Sequence, residues 1–206
     1  QNLTLDMNEF EKEMEKQREQ SGKKQDKESE KISIPTGMTT DFVGYTDLES
    51  NSKVIFVHKN NDQTAWIVTD KSPFYAESGG QAADNGWITI KKHALPVLDL
   101  QKLGNVNNPA IAAKISLKAE SGQIISDIEI GESAHCIIDY CARINTVKNH
   151  TATHLLQAAL VQILGPGIKQ AGSSVCSESF RFDFSHQQAL TDEQIQAVEN
   201  LVNQKI

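Results

Sequence analysis

Two histidines, His150 and His154, stand four residues apart in the segment NHTATHLLQAAL, residues 149–160. If this segment is helical, the spacing places both imidazoles on one face, close enough to bind the same metal ion. Two imidazoles are only half of a tetrahedral zinc site, and many histidines at this spacing bind no metal at all. The segment carries no carboxylate between the histidines, so it lacks the general base of the HExxH metalloproteases and we do not expect proteolysis.

The same predicted helix carries an apolar stripe that faces away from the two histidines. At about 100° per residue, the stripe gathers five positions: Ala152, Leu155, Leu156, Ala159 and Ile163. Thr153 precedes His154 directly, so we expect its hydroxyl at the histidine face. A hydroxyl in that place can recognise a small polar substrate.

A glycine-rich segment, SPFYAESGGQAADNG at residues 72–86, is a second candidate for chemistry. Gly79 and Gly80 allow positive φ angles or a close approach of the backbone to a ligand, and Gln81 places an amide beside them. A simple turn between strands is the alternative. A phosphate-binding loop is excluded because no Lys-Ser or Lys-Thr pair follows the glycines.

A third polar segment, KQAGSSV at residues 169–175, follows the helix-ending sequence GPG. It offers the amide of Gln170 and the hydroxyl of Ser173 where the chain returns to a strand. Taken alone, this segment is as consistent with an ordinary loop as with a binding site.

The elements that position these segments follow from the periodicity of the sequence. Short β-rich runs bounded by Gly, Asn, Asp and Pro occupy residues 53–58, 64–70, 86–92, 112–117 and 133–139, and they predict a small β-barrel. Asn85-Gly86 is typical of a type I′ hairpin turn. A long helix is predicted from about residue 139 through Leu164, and a capped helix after Thr191. The alternation in SFRFDFSH, residues 179–186, predicts a strand with its phenylalanines on one face.

We therefore expect an α+β protein in three parts. Residues 1–34 form an amphipathic helix and linker, residues 35–138 the β-barrel, and residues 139–206 an α+β domain in which the long helix packs on an antiparallel sheet. The chain starts with Gln1 and stops inside a helical pattern, so we expect it to be a piece of a longer protein.

Composition excludes several classes of protein. Apolar residues make up 38% of the chain and form no run near 18 residues, which predicts no transmembrane helix. The first residues have no signal-peptide pattern, and a cytoplasmic protein is the expectation. Three cysteines at irregular spacing (Cys136, Cys141 and Cys176) are typical of free thiols rather than of a disulfide framework.

Taken together and in this order, the segments SPFYAESGGQAADNG, NHTATHLLQAAL and QAGSSV followed by SFRFDFSH closely resemble the editing region of bacterial alanyl-tRNA synthetases. The resemblance covers about residues 35–206, and FEKEMEKQREQSGKK resembles the helix that precedes editing in that family. It implies an editing domain that hydrolyses serine or glycine wrongly esterified to tRNA(Ala). In the parent enzymes, ATP and magnesium serve a separate aminoacylation domain that ligates alanine to tRNA(Ala).

The resemblance also implies a zinc site on the long helix. Its ligands in the family are the two histidines of HTATH, here His150 and His154, and a later Cys and His that we expect beyond Ile206. Cys176 does not match the later cysteine, and we expect it to be a buried thiol. By the same resemblance, Thr153, Gln170 and Ser173 are the catalytic editing-pocket residues.

Gly79, Gly80 and Gln81 correspond to the substrate-binding glycine motif of the family. Of the arginine pair that the family often carries before the metal motif, only Arg143 is present. The net charge of −7 also predicts weak binding of tRNA by this chain alone. Two other functions remain open: a non-catalytic tRNA-binding module stabilised by zinc, and a free-standing alanyl editing protein.

Overall fold

The computed structural model describes residues 7, 9–12, 14, 32–60 and 63–206. The chain divides into two compact units, residues 1–33 and 34–206. The described residues of the first unit, between Met7 and Met14, are helical. The other positions of the predicted N-terminal helix and linker, residues 15–31 among them, lie outside the described residues, so the three-part division stays a prediction.

The second unit begins with a closed barrel, and the predicted α+β class and barrel are confirmed. Two short strands, β1 (Asp41–Phe42) and β4 (Lys71–Ser72), pair in parallel beside it. Six antiparallel strands close the barrel in the order β2-β3-β7-β6-β5-β8. They are β2 (Glu49–Lys59), β3 (Thr64–Thr69), β5 (Gly86–Ile90), β6 (His93–Asn105), β7 (Asn108–Ser116) and β8 (Ser133–Ile138).

Alternating side chains fill the barrel. In β5, Gly86, Ile88 and Ile90 are buried, while the residues between them are half-buried. Ile88 and Ile90 meet Leu95 and Ile115 in one apolar core, and none of these four side chains is more than 1% exposed. This closure leaves the six strands without an open edge, which holds the loops at the barrel end in fixed positions.

The expected hairpin turn at Asn85-Gly86 is wrong. Gly86 begins β5 and pairs with Ile138, and a side chain at that position would meet the carbonyl oxygen of Ile137. The two-residue turn lies instead at Lys91-Lys92, whose φ angles are 50° and 70°, as a type I′ turn requires. Lys91 is held there because its ammonium lies 2.8 Å from Asp127 and 2.9 Å from Glu132.

After the barrel the chain forms helix α1 (Tyr140–Leu164), strands β9 (Gln170–Val175) and β10 (Phe180–Phe184), and helix α2 (Asp192–Asn203). Asp139 caps α1 by accepting a hydrogen bond from the amide of Ala142, and Gly165 ends the helix with a φ of 104°. At α2 the predicted capping box of Thr191 and Gln194 is confirmed. Helix α1 packs on the antiparallel β9–β10 pair, and α2 packs against α1.

The buried side of α1 differs from the predicted stripe. Thr153, Ala159 and Leu160 are buried, whereas Ile163 is 37% exposed. Leu160 follows Thr153 by two helical turns, so both fall on the side that packs against the sheet core of Ile168, Phe182 and Val198. Thr153 therefore lies at the border between this core and the histidine face. Neither α1 nor α2 is apolar enough along its length to cross a membrane.

Candidate functional site

The glycine segment and β9, which are far apart in sequence, are joined edge to edge. The amide of Val175 donates to the carbonyl of Gly80, and the amide of Ala82 donates to the carbonyl of Val175, both at 2.8 Å. Gln81 forms a parallel bridge with Val175 between these two bonds. Residues 78–82 are thus held beside β9, the strand that carries Gln170 and Ser173, by this bridge and its two hydrogen bonds.

The paired glycines serve different purposes. Gly79 has a φ of 60° and open space where a side chain would be, so its need for glycine comes from the backbone angle. Gly80 has a φ of 83°, and an added Cβ would lie 2.6 Å from the carbonyl oxygen and 2.7 Å from the hydroxyl of Ser173. Gly80 therefore permits the glycine segment to touch Ser173 directly.

Gln81 connects the glycine segment to α1. Its side-chain oxygen Oε1 lies 2.8 Å from Nδ1 of His150, and only 9% of Gln81 is exposed. Because an amide oxygen only accepts, this contact places the proton of the neutral imidazole on Nδ1 and leaves the lone pair on Nε2. A ligating histidine is typically held in this way by a second partner.

The two histidines lie side by side on α1. Their ring centroids are 5.0 Å apart with an interplanar angle of 22°, and His150 is half-buried whereas His154 is exposed. The pair stands at the edge of the contact between α1 and the glycine segment. An accessible face is what a substrate-binding metal requires, in contrast to a closed structural site.

The remaining predicted site residues lie on β9 and on the buried side of α1. Nε2 of Gln170 donates to the hydroxyl of Ser173 at 3.0 Å. The hydroxyl of Thr153 donates to the carbonyl of Asn149 at 2.8 Å, one turn earlier in the helix, and Thr153 is 6% exposed. Asn149 in turn donates to the carbonyl of Cys176 at 2.8 Å, which fixes this turn of α1 to the end of β9.

The donor set fits part of a zinc site. His150 and His154 supply two nitrogens at helical spacing, and the contact of His150 with Gln81 favours the tautomer that binds metal through Nε2. Within residues 32–60 and 63–206 and the described positions before them, no group of three or more His, Cys, Asp and Glu side chains could hold a metal ion. The two imidazoles thus fit half of the expected ligand set.

Cys176 differs from the expected buried thiol. Its side chain is partly exposed, and the thiol donates to the carbonyl of Ser179 at 3.3 Å. The backbone amide of Glu178 and the hydroxyl of Ser179 lower the pKa of this thiol from its ordinary value. The buried thiol is Cys136, which is 0% exposed in the barrel core. All three cysteines are free.

Sequence patterns did not predict one contact that positions α1. Arg143 forms an ion pair with Asp84 and also donates to the carbonyls of Gly44, at 2.7 Å, and Pro73, at 3.2 Å. The side chains of Arg143 and Asp84 are 12% and 4% exposed. Arg143 therefore binds the barrel rather than presenting its charge to a phosphate. The two residues stand 59 positions apart, so neither helical nor strand periodicity relates them.

Known proteins similar to the chain are alanine–tRNA ligases. One from Fusobacterium nucleatum subsp. nucleatum is 42% identical over 167 residues, which make up 81% of the chain and 18% of the relative. One from Haemophilus influenzae strain PittGG is 37% identical over 216 residues, covering 100% of the chain and 24% of the relative. A third, from Chlorobium phaeovibrioides, is 41% identical over 165 residues, covering 80% of the chain and 18% of the relative.

The chain thus spans no more than 24% of the length of these relatives. A family model for class II (A) tRNA synthetases matches residues 1–133, well over half of the chain. The matched residues include the glycine segment, and the chain belongs to the class II (A) tRNA synthetase family.

Proposed function

We propose that this chain is the editing portion of an alanine–tRNA ligase and that its site hydrolyses the esters Ser-tRNA(Ala) and Gly-tRNA(Ala). The observation that carries this proposal is that the glycine segment contacts both α1 and β9, which carry the other two polar segments. Gln81 contacts His150, and Gly80 contacts Ser173. A small aminoacyl group bound there would meet hydroxyl and amide groups next to a pair of imidazoles.

Discrimination between serine and alanine depends on one hydroxyl. A site built to hydrogen-bond that hydroxyl can reject a substrate without it by about 10⁴ or more, whereas a purely apolar pocket cannot. The oxygen of Thr153 donates its proton to Asn149 and can still accept a hydrogen bond from a serine hydroxyl. Ser173, whose hydroxyl accepts a hydrogen bond from Gln170, offers a second hydroxyl on β9. Glycine, being smaller than alanine, would enter the same pocket without this contact.

The two glycines bring the backbone close to the aminoacyl ester. Gly79 and Gly80 both have positive φ angles and no side chains, so the ester can approach the main chain of this segment. Gln81 orients His150. In this proposal these groups bind and orient the ester.

His150 and His154 would hold zinc together with a Cys and a His supplied by sequence outside this chain. Zinc bound there would activate a water molecule or polarise the ester. The tautomer that Gln81 favours leaves Nε2 of His150 able to bind the ion.

The partner of the site is tRNA(Ala) carrying the wrong amino acid. In the full-length protein, an aminoacylation domain would ligate alanine to tRNA(Ala) with ATP and magnesium. The present chain has 27 acidic and 20 basic residues, a balance that disfavours binding to phosphates. Most of the affinity for tRNA would therefore come from other domains.

Deacylation of Ser-tRNA(Ala) tests the proposal, with Ala-tRNA(Ala) as the control substrate. The assay compares this chain with a longer protein that includes the additional Cys and His. Hydrolysis of the serine ester by the longer protein, with the alanine ester left intact, is the expected result. If the longer protein binds zinc but hydrolyses neither ester, the editing function is wrong.

A stability measurement distinguishes the alternative of a non-catalytic module stabilised by zinc. His150→Ala and wild-type protein are unfolded with and without zinc, in the longer protein. A large loss of stability on removal of zinc, without hydrolysis of either ester, would support the structural module. An intact open reading frame without an aminoacylation domain would instead identify a free-standing editing protein.

A further inference from the structure

A cavity of about 310 Å³ is lined by residues of β1 and of the barrel. None of its lining residues belongs to α1, the helix that carries the histidine pair. The cavity lies where β1, the β6–β7 hairpin and the segment after β4 meet, and this volume is at the lower end of the range for small-ligand pockets. Its lining includes aromatic side chains, among them Phe42, Tyr45 and Tyr75, and polar ones, among them Lys102, Asn107 and Asn108. The editing proposal uses none of them.

The aromatic side chains form a row. Phe42 meets Tyr45 edge-on at a centroid distance of 5.0 Å and meets Tyr75 edge-on at 6.4 Å. Tyr45 is 85% exposed, an unusual position for a tyrosine that lines a cavity. The contact with Phe42 holds the Tyr45 ring at the cavity mouth, where a planar group can stack on it.

Polar side chains also line the cavity. The ammonium of Lys102 lies 5.1 Å from the centre of the Tyr75 ring, and the side chains of Asn107 and Asn108 add amides. Asp41 supplies an acceptor on the same lining. A pocket for an aliphatic peptide side chain would not need this combination of aromatic rings, an ammonium, amides and a carboxylate. An unpaired nucleotide does, because its base stacks, its edge forms hydrogen bonds and its phosphate is anionic.

We propose that this pocket binds one unpaired nucleotide of an RNA strand, with the base stacked on Tyr45 and the phosphate near Lys102. The family to which the chain belongs acts on an RNA partner, which supplies such a nucleotide. Tyr75 also connects the pocket to the site described above, since its hydroxyl donates to the carbonyl of Ser78 at 3.1 Å, immediately before Gly79. The inference rests on the RNA partner of the proposed function but not on ester hydrolysis.

Fluorescence anisotropy with the single-stranded RNA tetranucleotide rAAAA, labelled with fluorescein, tests this pocket in the 206-residue chain. Tyr45→Ala should weaken binding about tenfold, and Tyr45→Phe, which keeps the ring, should stay within about twofold of wild type. Tyr140→Ala is the matched control, because Tyr140 is also exposed, at 57%, but lies at the start of α1. Thermal unfolding of each variant verifies that it is folded.

The salt dependence gives a second, independent readout. One phosphate contact predicts a slope of about −0.7 for the logarithm of affinity against the logarithm of salt concentration. Lys102→Gln should bring this slope close to zero, whereas Lys118→Gln, an exposed lysine on another part of the barrel, should leave it unchanged.

Two results would overturn the nucleotide pocket: no binding of rAAAA by the wild-type chain at millimolar RNA, or equal losses in the Tyr45→Ala and Tyr140→Ala variants. Either could occur while deacylation of Ser-tRNA(Ala) by the longer protein is intact, and the proposed function would then stand. Conversely, binding of rAAAA that depends on Tyr45, together with a longer protein that binds zinc but hydrolyses neither ester, would support the pocket and reject editing.

Discussion

Arg143 and Asp84 form a two-pronged ion pair that ties the first turn of α1 to the segment before β5. The same carboxylate accepts a hydrogen bond from the amide of Tyr75 at 2.6 Å, so it also holds the strand end that leads into the glycine segment. Asp84 therefore links the helix of the histidines to the segment of Gly79 and Gly80.

Removal of Arg143 should destabilise the fold strongly. Arg143→Ala leaves Asp84, which is 4% exposed, as a buried charge without its partner, and we expect the free energy of unfolding to fall by about 3–5 kcal/mol. Urea denaturation measures the change. Arg181→Ala is the matched control, since its pair with Asp183 is 70% and 45% exposed and should contribute about 0–1 kcal/mol. Equal losses in the two variants would contradict the structural role of Arg143.

Alanine substitutions at Gly79 and Gly80 separate the cost of a positive φ angle from the cost of a steric contact. Gly79→Ala should cost about 1–2 kcal/mol of stability, because its φ of 60° is unfavourable for alanine although the space is open. Gly80→Ala has a similar φ of 83° and in addition meets Ser173, so it should cost about 1–3 kcal/mol more. Urea denaturation of both variants measures the difference. Equal stabilities would mean that the contact between Gly80 and Ser173 is absent in solution.

Gln81 should determine the tautomer of His150. In the metal-free protein, Gln81→Leu removes the oxygen that accepts the hydrogen bond from Nδ1–H of His150, so the Nδ1–H tautomer should no longer dominate. Gln81→Glu keeps an accepting oxygen and should preserve that tautomer. Long-range ¹H–¹⁵N NMR of the imidazole reports the tautomer directly. Gln187→Leu, at an exposed glutamine, is the control.

The same substitution should weaken zinc binding by about 10–100-fold in the longer protein, as loss of a partner to a metal ligand commonly does. A Gln81→Leu protein with an unchanged tautomer and unchanged zinc affinity would show that Gln81 does not position His150.

Cys136 should make stability depend on pH in the alkaline range. Burial raises the pKa of this thiol from 9.0 to about 11, with the hydroxyls of Thr69, Ser52 and Ser50 opposing the shift. Between these values the folded protein binds more protons than the unfolded chain, so the contribution is present below pH 9 and is lost as pH rises toward 11. The difference in unfolding free energy between wild type and Cys136→Ala should therefore shrink over this interval. A constant difference would contradict the buried, neutral thiol.

Local patterns predicted the elements whose partners are close in sequence. The capping box at Thr191 and Gln194 and the alternation of Phe180, Phe182 and Phe184 need only neighbouring residues, and both are present. The strand β6 was not predicted, because Pro96 and Gly104 interrupt its alternation. The turn at Lys91-Lys92 was not predicted either, because contacts of Lys91 with Asp127 and Glu132, rather than a turn-forming residue type, hold it in place.

In the candidate site too, sequence patterns predicted local features but not the contacts between residues far apart in the chain. Motif resemblance predicted roles for Gln81 and His150, but the contact between their side chains joins residues 69 positions apart and depends on how α1 packs beside the glycine segment. Thr153 was expected at the histidine face and is buried, because α1 is rotated so that Thr153 and Leu160 face the sheet. Helical periodicity defines relative angles along one helix, whereas the side that becomes buried depends on its neighbours.

Thr153 should control the choice of ester. Thr153→Val keeps the shape of the side chain and removes the hydroxyl, while the Asn149 carbonyl retains its bond within the helix, so the fold should be maintained. In the longer protein with zinc bound, we expect kcat/KM for Ser-tRNA(Ala) to fall toward the value for Ala-tRNA(Ala), because the contact that distinguishes serine is lost. Thr151→Val is the matched control: its hydroxyl donates to Val147 at 3.0 Å in the same manner, but its side chain is exposed. A loss of serine hydrolysis in both variants would indicate a general effect on α1, and no loss in Thr153→Val would assign serine recognition to Ser173 instead.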